Sequence, residues 1–588
     1  MASRRLIALV CAIAASVALT LLASASNAAA FTEPPFTPVV EAQNYLKIEE
    51  RQTIYDTVQY QLLLREVSLQ NASAALALAL ADPEREFASD LCWSGMDGCA
   101  GDVRLYDWQS KGYGIVAPVL FTARNGATLS GHVWATRSGP AKRPGIVITN
   151  GSVQANEQLY WFVAETLAKA GYVVLTWDPQ GQGQSDTFGA SPDTAEGFPA
   201  QSDGRPFFDG TEDALNFFFS TPSHPYDPVP SCSTGTSHAA KQDRRVKAGL
   251  DAAYNPFWQL LDPARVGVVG HSYGAAGVSY IGQWDARVKA IVAFDNLAAP
   301  SVGGGIASEG PCPANPRARA PAAITKPALG LSADYFLPPT PNLSAPSPLA
   351  KSTESLAYSS AGVDSGEIII RGGSHLDFSW IPNQAFGASL RGADEIDWYT
   401  TAWFDKYLKR DPSADARLLT DRWRHDGQEA AIDPNHDGNM FSFYYPSRLD
   451  IGLAAGGRFV CEDLRPGCAG MSAADGYAGS YDFVNIDRSP DGPASSVAST
   501  LSPQGLAPAL CTSRRTITVR MPARRGLRLT RLTVWFGARR IASVRGRSAR
   551  IRLIGLPRGH VRLTLRETGR LGRRAFRRTL RLRLRTCR

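Results

Sequence analysis

The sequence predicts an α/β chain with a helical segment ahead of it and a separate all-β module behind it. Three observations carry this expectation. The apolar run 266–269 enters Gly270-His271-Ser272-Tyr273-Gly274 and the small-residue run 275–278 leaves it, a strand-turn-helix signature. Further apolar runs at 146–149, 172–177, 288–294 and 327–333 each end in a polar loop. From Cys511 onward, apolar residues alternate with arginine, as in Arg581-Leu582-Arg583-Leu584-Arg585, which is the period of a strand.

Taken in order, Arg4 and Arg5 precede the apolar stretch 6–22, and Ala28-Ala29-Ala30 follows it, so residues 1–30 read as a cleaved signal peptide of an exported protein. No other segment is apolar enough to span a membrane, and the mature chain is expected to carry no transmembrane segment. Residues 31–110 read as a helical bracket, with Tyr45, Ile48, Ile54, Tyr55, Val58, Leu62 and Leu69 at helical spacing. The α/β domain is assigned to 111–410 and opens with a hairpin, 115–122 and 128–136, turning at Arg124-Asn125-Gly126. A crossover helix is expected over 209–219, flanked by Pro/Gly/Ser-rich insertions at 187–206 and 221–250 that lie over the carboxyl edge of the sheet as a lid or as plain surface loops. The domain closes with an amphipathic helix over 393–410. Residues 411–505 read as a loop-rich extension and linker, and 506–588 as a small immunoglobulin-like β-sandwich.

Ser272 is the candidate nucleophile, because glycines two residues to either side clear the sharp turn on which an attacking hydroxyl must stand. A serine hydroxyl needs a base, and the base needs an orienting acid. His271 is too close along the backbone to reach its neighbour, so His375, on the glycine-rich loop after 367–370, is the candidate base. Asp334, at the end of 327–334, is the first choice of acid and Asp295, after 288–294, the alternative; Asp364 and Asp377 read as solvated. The developing oxyanion calls for two backbone N–H donors, assigned to Tyr273 and to Ser152 in the turn Asn150-Gly151-Ser152.

These residues, with the loop Asp178-Pro179-Gln180-Gly181-Gln182-Gly183-Gln184-Ser185-Asp186, resemble the α/β-hydrolase superfamily over about 111–410. The resemblance implies a mostly parallel sheet flanked by helices, with ester or related acyl hydrolysis at its carboxyl edge. The oxyanion turn departs from many members in carrying Asn-Gly where they carry His-Gly, a small change where the donor is main chain.

Beyond Cys11, eight cysteines remain, an even number that suits disulfides in an exported chain. Proximity suggests Cys92 with Cys99, Cys461 with Cys468, Cys232 with Cys312, and Cys511 with Cys587. No cofactor is expected. Asp433, Asn435 and Asp437 resemble half of a calcium loop, but Tyr444 stands where such a loop needs glutamate, and an Asp/Asn/Gly turn is the preferred reading. Residues 511–588 hold 25 arginines against the single acid Glu567, a net +24, whereas 31–510 hold 35 basic and 53 acidic residues, a net −18. A module so charged suits an anionic cell-envelope polymer or the acidic catalytic domain of the same chain, with a solvated arginine face that has no dedicated partner as the alternative; without an aromatic stacking platform, and in an exported chain, it does not suit nucleic acid. The expected activity is a secreted serine esterase or lipase-like hydrolase acting on a small-molecule or lipid ester. The alternatives are an exported peptidase or amide hydrolase, and a non-catalytic adhesion protein on the same scaffold.

Overall fold

The computed structural model describes residues 58–85, 100–152, 156–194, 205–300, 322–335, 353–381, 390–423 and 440–474, apart from a few positions within them, and the strands between 517 and 586. Contacts divide the chain into two compact units, 1–499 and 500–588.

The first unit is α/β. Its sheet comprises β1 (Ile115–Thr122), β2 (Thr128–Ala135), β3 (Arg143–Thr149), β4 (Val173–Trp177), β5 (Leu261–His271), β6 (Val288–Phe294), β7 (Ala328–Tyr335) and β8 (Ser365–Ser374). After β9 (Thr420–Trp423), which lies outside this sheet, β10 (Arg448–Gly452) and β11 (Arg458–Cys461) complete it. The order is β1-β2-β4-β3-β5-β6-β7-β8-β10-β11. Neighbours from β4 through β8 are parallel, while β2 runs against β4, and β10 runs against β8. Residues 448–461 thus extend the sheet rather than forming loops, because Leu449 and Ile451 bury on it. A short β12 (Ser472–Ala474) pairs with β9.

Side chains of a strand alternate between faces, and the central strands are apolar at both parities, as a sheet covered on both sides requires. Ile146, Ile148, Val174, Val269 and Val292 pack with Phe162 and Leu167 of α2 (Trp161–Lys169) and with Ile396 and Trp403 of α7 (Leu390–Phe404). Val147, Leu175, Val268 and Ile291 pack with Phe207 and Phe217 of α3 (Arg205–Phe219) and with Val278 and Ile281 of α5 (Tyr273–Trp284). Two further helices, α4 (Ala239–Lys247) and α6 (Thr353–Ser360), lie within the connections. The last helical turn after α7 continues as a π-turn through Lys409.

Helix α1 (Val58–Ala81) represents the bracket, and the rest of that expected helix lies outside the described residues. Its buried stripe differs from the expected one. Val58, Leu62 and Leu69 are exposed, while Leu64 and Val67 join Val103, Leu105 and Trp108 in the core. A helix this rich in Leu, Val and Ala offers several apolar stripes, and the partner surface selects one. Its end is pinned where the buried Arg245 of α4 pairs with Asp82 and Asp251 at 2.6 and 2.8 Å. Part of the 221–250 insertion is therefore anchored structure.

Cys461 and Cys468 form a disulfide. Cys232 is also disulfide-bonded; Cys92, Cys99, Cys312, Cys511 and Cys587 lie outside the described residues, as do the signal segment and Asp433, Asn435 and Asp437. Among the described residues, no helix is long and apolar enough to cross a membrane.

The second unit is all-β. It contains β13 (Ile517–Arg520), β14 (Leu527–Phe536), β15 (Arg539–Arg545), β16 (Arg550–Leu553), β17 (Gly559–Leu571) and β18 (Arg574–Thr586). They form an antiparallel pair, β13-β16, and an antiparallel sheet ordered β15-β14-β17-β18.

Candidate active site

Strand β5 ends at His271 and α5 begins at Tyr273, so Ser272 alone makes the connection, with φ 56° and ψ −118°. Positive φ costs a residue bearing a Cβ on the order of 1–2 kcal/mol, which the surrounding bonds must offset. The Ser272 N–H donates to the Phe294 carbonyl at 2.9 Å, and its own carbonyl accepts the Ala276 N–H at 3.1 Å. The flanking glycines are obligatory through contact. A Cβ at Gly270 would stand 2.1 Å from the Gly274 carbonyl oxygen, and one at Gly274 would stand 2.4 Å from the carbonyl oxygens of Thr149 and Asn150. The end of β3 thereby lies against the serine turn.

His375 follows the last residue of β8 and starts a short 3-10 turn capped by Ser374. Asp377, expected to be solvated, is buried and accepts the Ser374 N–H at 2.5 Å, fixing this turn. The His375 Nδ1 lies 2.6 Å from Asp295 Oδ2. A carboxylate accepts, so Nδ1 carries a proton and Nε2 is the nitrogen that faces away from Asp295. Among the described residues no hydrogen bond engages the Ser272 hydroxyl, and hydroxyl-imidazole bonds of this kind commonly tighten only around substrate.

The acid paired with the imidazole is therefore Asp295, not Asp334. Asp295 is the first residue past β6, held at φ 35° with its N–H donating to the Leu331 carbonyl at 2.8 Å. Asp334 lies inside β7, whose last residue, Tyr335, pairs with Ser374; it is buried and accepts the Ser442 hydroxyl. Strand β7 runs one residue beyond Asp334, so this carboxylate stays in the sheet instead of entering a loop. Asp364, also expected to be solvated, accepts the Tyr407 hydroxyl at 2.7 Å and pairs with Arg458.

A brace behind these groups was not legible in the sequence. His271 Nε2 lies 3.0 Å from the His375 carbonyl, which only accepts, so Nε2 is protonated and Nδ1 accepts the Tyr160 hydroxyl at 2.7 Å. Tyr160 in turn accepts the Gly151 N–H at 3.0 Å. One tyrosine and one histidine thus tie the 150–152 turn to the histidine loop. Burial, with the nearby His375 adding to it, holds the His271 pKa well below the usual imidazole value, so the ring is neutral. Gly151 has spent its N–H on Tyr160, and the half-buried Ser152 is next along the turn. Tyr273 opens α5, where first-turn N–H groups have no intrahelical acceptor.

Asp178 anchors the same turn from the other side. It accepts the Asn150 side-chain amide at 3.0 Å and the backbone N–H groups of Glu157 and Gln184 at 2.7 and 3.0 Å. Burial, and next the neighbouring Glu157, push its pKa well up. Ser185 and Asp186 of the same loop bond Ser130 and Thr128 on β2, and Asp186 pairs with Arg85. The polar pattern at 178–186 is thus a buried lattice that fixes the loop.

Removing the Tyr160 hydroxyl tests the brace. Tyr160→Phe leaves the Gly151 N–H and His271 Nδ1 without their shared partner, a cost of about 1–3 kcal/mol. A fall in kcat on an activated ester of about tenfold, with KM little changed, is expected; wild-type kcat would show that the brace has no part in positioning.

Among the described residues, no group of three or more His, Cys, Asp or Glu side chains is arranged to hold a metal ion. No known family model matches the chain, and no curated protein sequence is significantly similar to it.

Proposed function

We propose that this protein is an exported serine hydrolase of the α/β-hydrolase type that cleaves carboxylic esters through an acyl-enzyme. In this reading Ser272 Oγ attacks the ester carbonyl while His375 Nε2 takes its proton and Asp295 holds the imidazolium. The N–H groups of Tyr273 and Ser152 receive the charge on the carbonyl oxygen. The same imidazole then protonates the departing alcohol. Water, deprotonated by His375, next attacks the acyl-serine, releasing the acid and restoring the hydroxyl.

The observation that carries the reading is the 2.6 Å contact between Asp295 and His375, together with a serine held at φ 56° between strand and helix whose N–H bonds the carbonyl of Phe294, the residue before Asp295. The parallel strands at the centre, the helices on both faces and the chain order Ser, Asp, His support it.

A fluorophosphonate probe, which phosphonylates only an activated serine, tests it. Wild-type protein labels and Ser272→Ala does not, and p-nitrophenyl ester turnover falls with the label. Equal labelling of the two would overturn the proposal. Anilides run beside the esters separate esterase from amidase.

A further inference from the structure

The four-stranded sheet of the second unit sorts its side chains by register. Residues directly opposite in an antiparallel sheet project to the same face. Arg531 is opposite Arg545 on one side and Thr568 on the other, and Thr568 is opposite Arg577. Thr533 is opposite Ser543 and Arg566, Arg566 is opposite Thr579, and Arg570 is opposite Ala575. Arg540, opposite Trp535 beyond a bulge, joins the same face.

Solvent exposure agrees with this sorting. Arg531, Arg540, Arg566, Arg570 and Arg577 are all exposed, as are Ser543 and Thr579, whereas Val534 and Leu565, of the opposite parity, are buried. The alternation continues at the register positions of Arg562 opposite Arg583 and of Thr564 opposite Arg581. Glu567, the one acid of 511–588, has the other parity and sits opposite Arg578. One face therefore carries arginines separated by small hydroxyl residues, with no carboxylate in register among them.

We propose that this face binds an extended polymer of phosphodiester-linked polyol units, without regard to sequence. Same-face residues recur about every 6.8 Å along a strand and about 4.8 Å across strands. Oxyanions repeating at a similar interval along a stretched chain can each meet a guanidinium fork, which grips phosphate bidentately. A sheet face offers no enclosed pocket to hold a single small anion, whereas a polymer adds many weak contacts and releases counterions.

Two observations favour a polymer without bases. The half-buried Trp535 lies under the Arg566 guanidinium, whose carbon is 5.3 Å from the ring centroid, so it is not an open platform for stacking. Among the described residues of this face, the exposed apolar side chain is only Ala575, too small to anchor in a bilayer.

Retention of the full chain on immobilised poly(glycerol phosphate) across a salt series tests the assignment. Combined Arg531→Gln, Arg566→Gln and Arg577→Gln is expected to weaken binding at least tenfold and to flatten the slope of log affinity against log salt by about two. Combined Lys142→Gln, Lys247→Gln and Lys289→Gln removes the same charge from the first unit and is expected to leave binding within twofold. The three arginines changed to lysine keep charge and solubility while losing the fork, and give an intermediate loss. Unchanged retention in the glutamine variant, or equal loss in the control, overturns the proposal. Tighter binding to single-stranded DNA, or to mixed phosphatidylcholine and phosphatidylglycerol vesicles, overturns the choice of partner. Fluorophosphonate labelling of Ser272 is expected to be unchanged in every variant, which keeps the two proposals separately testable.

Discussion

Asp295→Asn is expected to lower kcat on an activated ester by about 10⁴-fold while the protein stays folded, because an amide facing Nδ1 favours the wrong tautomer and no longer stabilises the imidazolium. Asp334→Asn is expected to change kcat by less than about threefold, since the amide oxygen still accepts the Ser442 hydroxyl and a lost charge assistance costs roughly 1 kcal/mol of stability. The ranking is the test. Both are carboxylates near the ends of neighbouring strands, but Asp295 lies just past β6 and reaches His375 at 2.6 Å, whereas Asp334 stays within β7 and accepts the Ser442 hydroxyl. Should Asp334→Asn prove the crippling change and Asp295→Asn the mild one, the acid has been assigned to the wrong strand. Circular dichroism and urea unfolding of both variants distinguish lost orientation from lost fold.

The second large effect concerns stability. Arg124, in the turn between β1 and β2, is buried and faces three carboxylates of α3: Glu212 at 2.7 Å, Asp213 at 2.8 Å and Asp209 at 3.7 Å. Its backbone N–H also donates to Asp213 at 2.9 Å. Helix α3 props the nucleophile helix, with the Phe207 ring 5.4 Å from that of Tyr273. Arg124→Met strands three acids on one helical face, and breaking a buried pair in this way costs about 3–5 kcal/mol.

That cost depends on pH in a definite direction. Burial, opposed by Arg124, pushes the Asp209 pKa up to about 7, with Asp213 and Glu212 pushing the same way; Glu212 is raised as well. The folded state therefore holds the Asp209 proton more tightly than the unfolded chain does. The resulting stability is fully present below about pH 4 and is lost as pH rises through about 7. Without Arg124 the repulsion is greater, so the variant's deficit in urea unfolding is expected to be largest at pH 8 and to shrink at pH 5. Asp209→Asn is expected to flatten the wild-type decline over that range. A deficit under 1 kcal/mol, or one that does not change with pH, would show that water already screens the cluster.

The serine turn was legible because its determinants are neighbours in the chain: two glycines, a β-branched run before them and small residues after. Hairpin 115–135 and the crossover helix were legible for the same reason. The buried stripe of α1 was not. Leu62 and Leu64 have the same chemistry, and the helix offers both; the surface around Val103 and Leu105 takes Leu64. Residues 448–461 read as loop because a short edge strand has little pattern of its own, and its pairing with β8 comes from a partner about eighty positions away.

Sequence alone marked Ser272, on a strand-to-helix turn, and His375, on a glycine-rich loop, as the candidate nucleophile and base, and showed that the arginines of the last module alternate with apolar residues. Those are properties of local spacing, and local sterics enforce them. Only the tertiary structure decided which carboxylate meets the imidazole, that His271 and Tyr160 brace the loops around it, and that Arg531, Arg540, Arg566, Arg570 and Arg577, from four strands, share one face. Each of these depends on where a strand ends and which strand lies beside it. Packing between segments far apart in the chain sets both, and nothing in a residue's immediate neighbours encodes them.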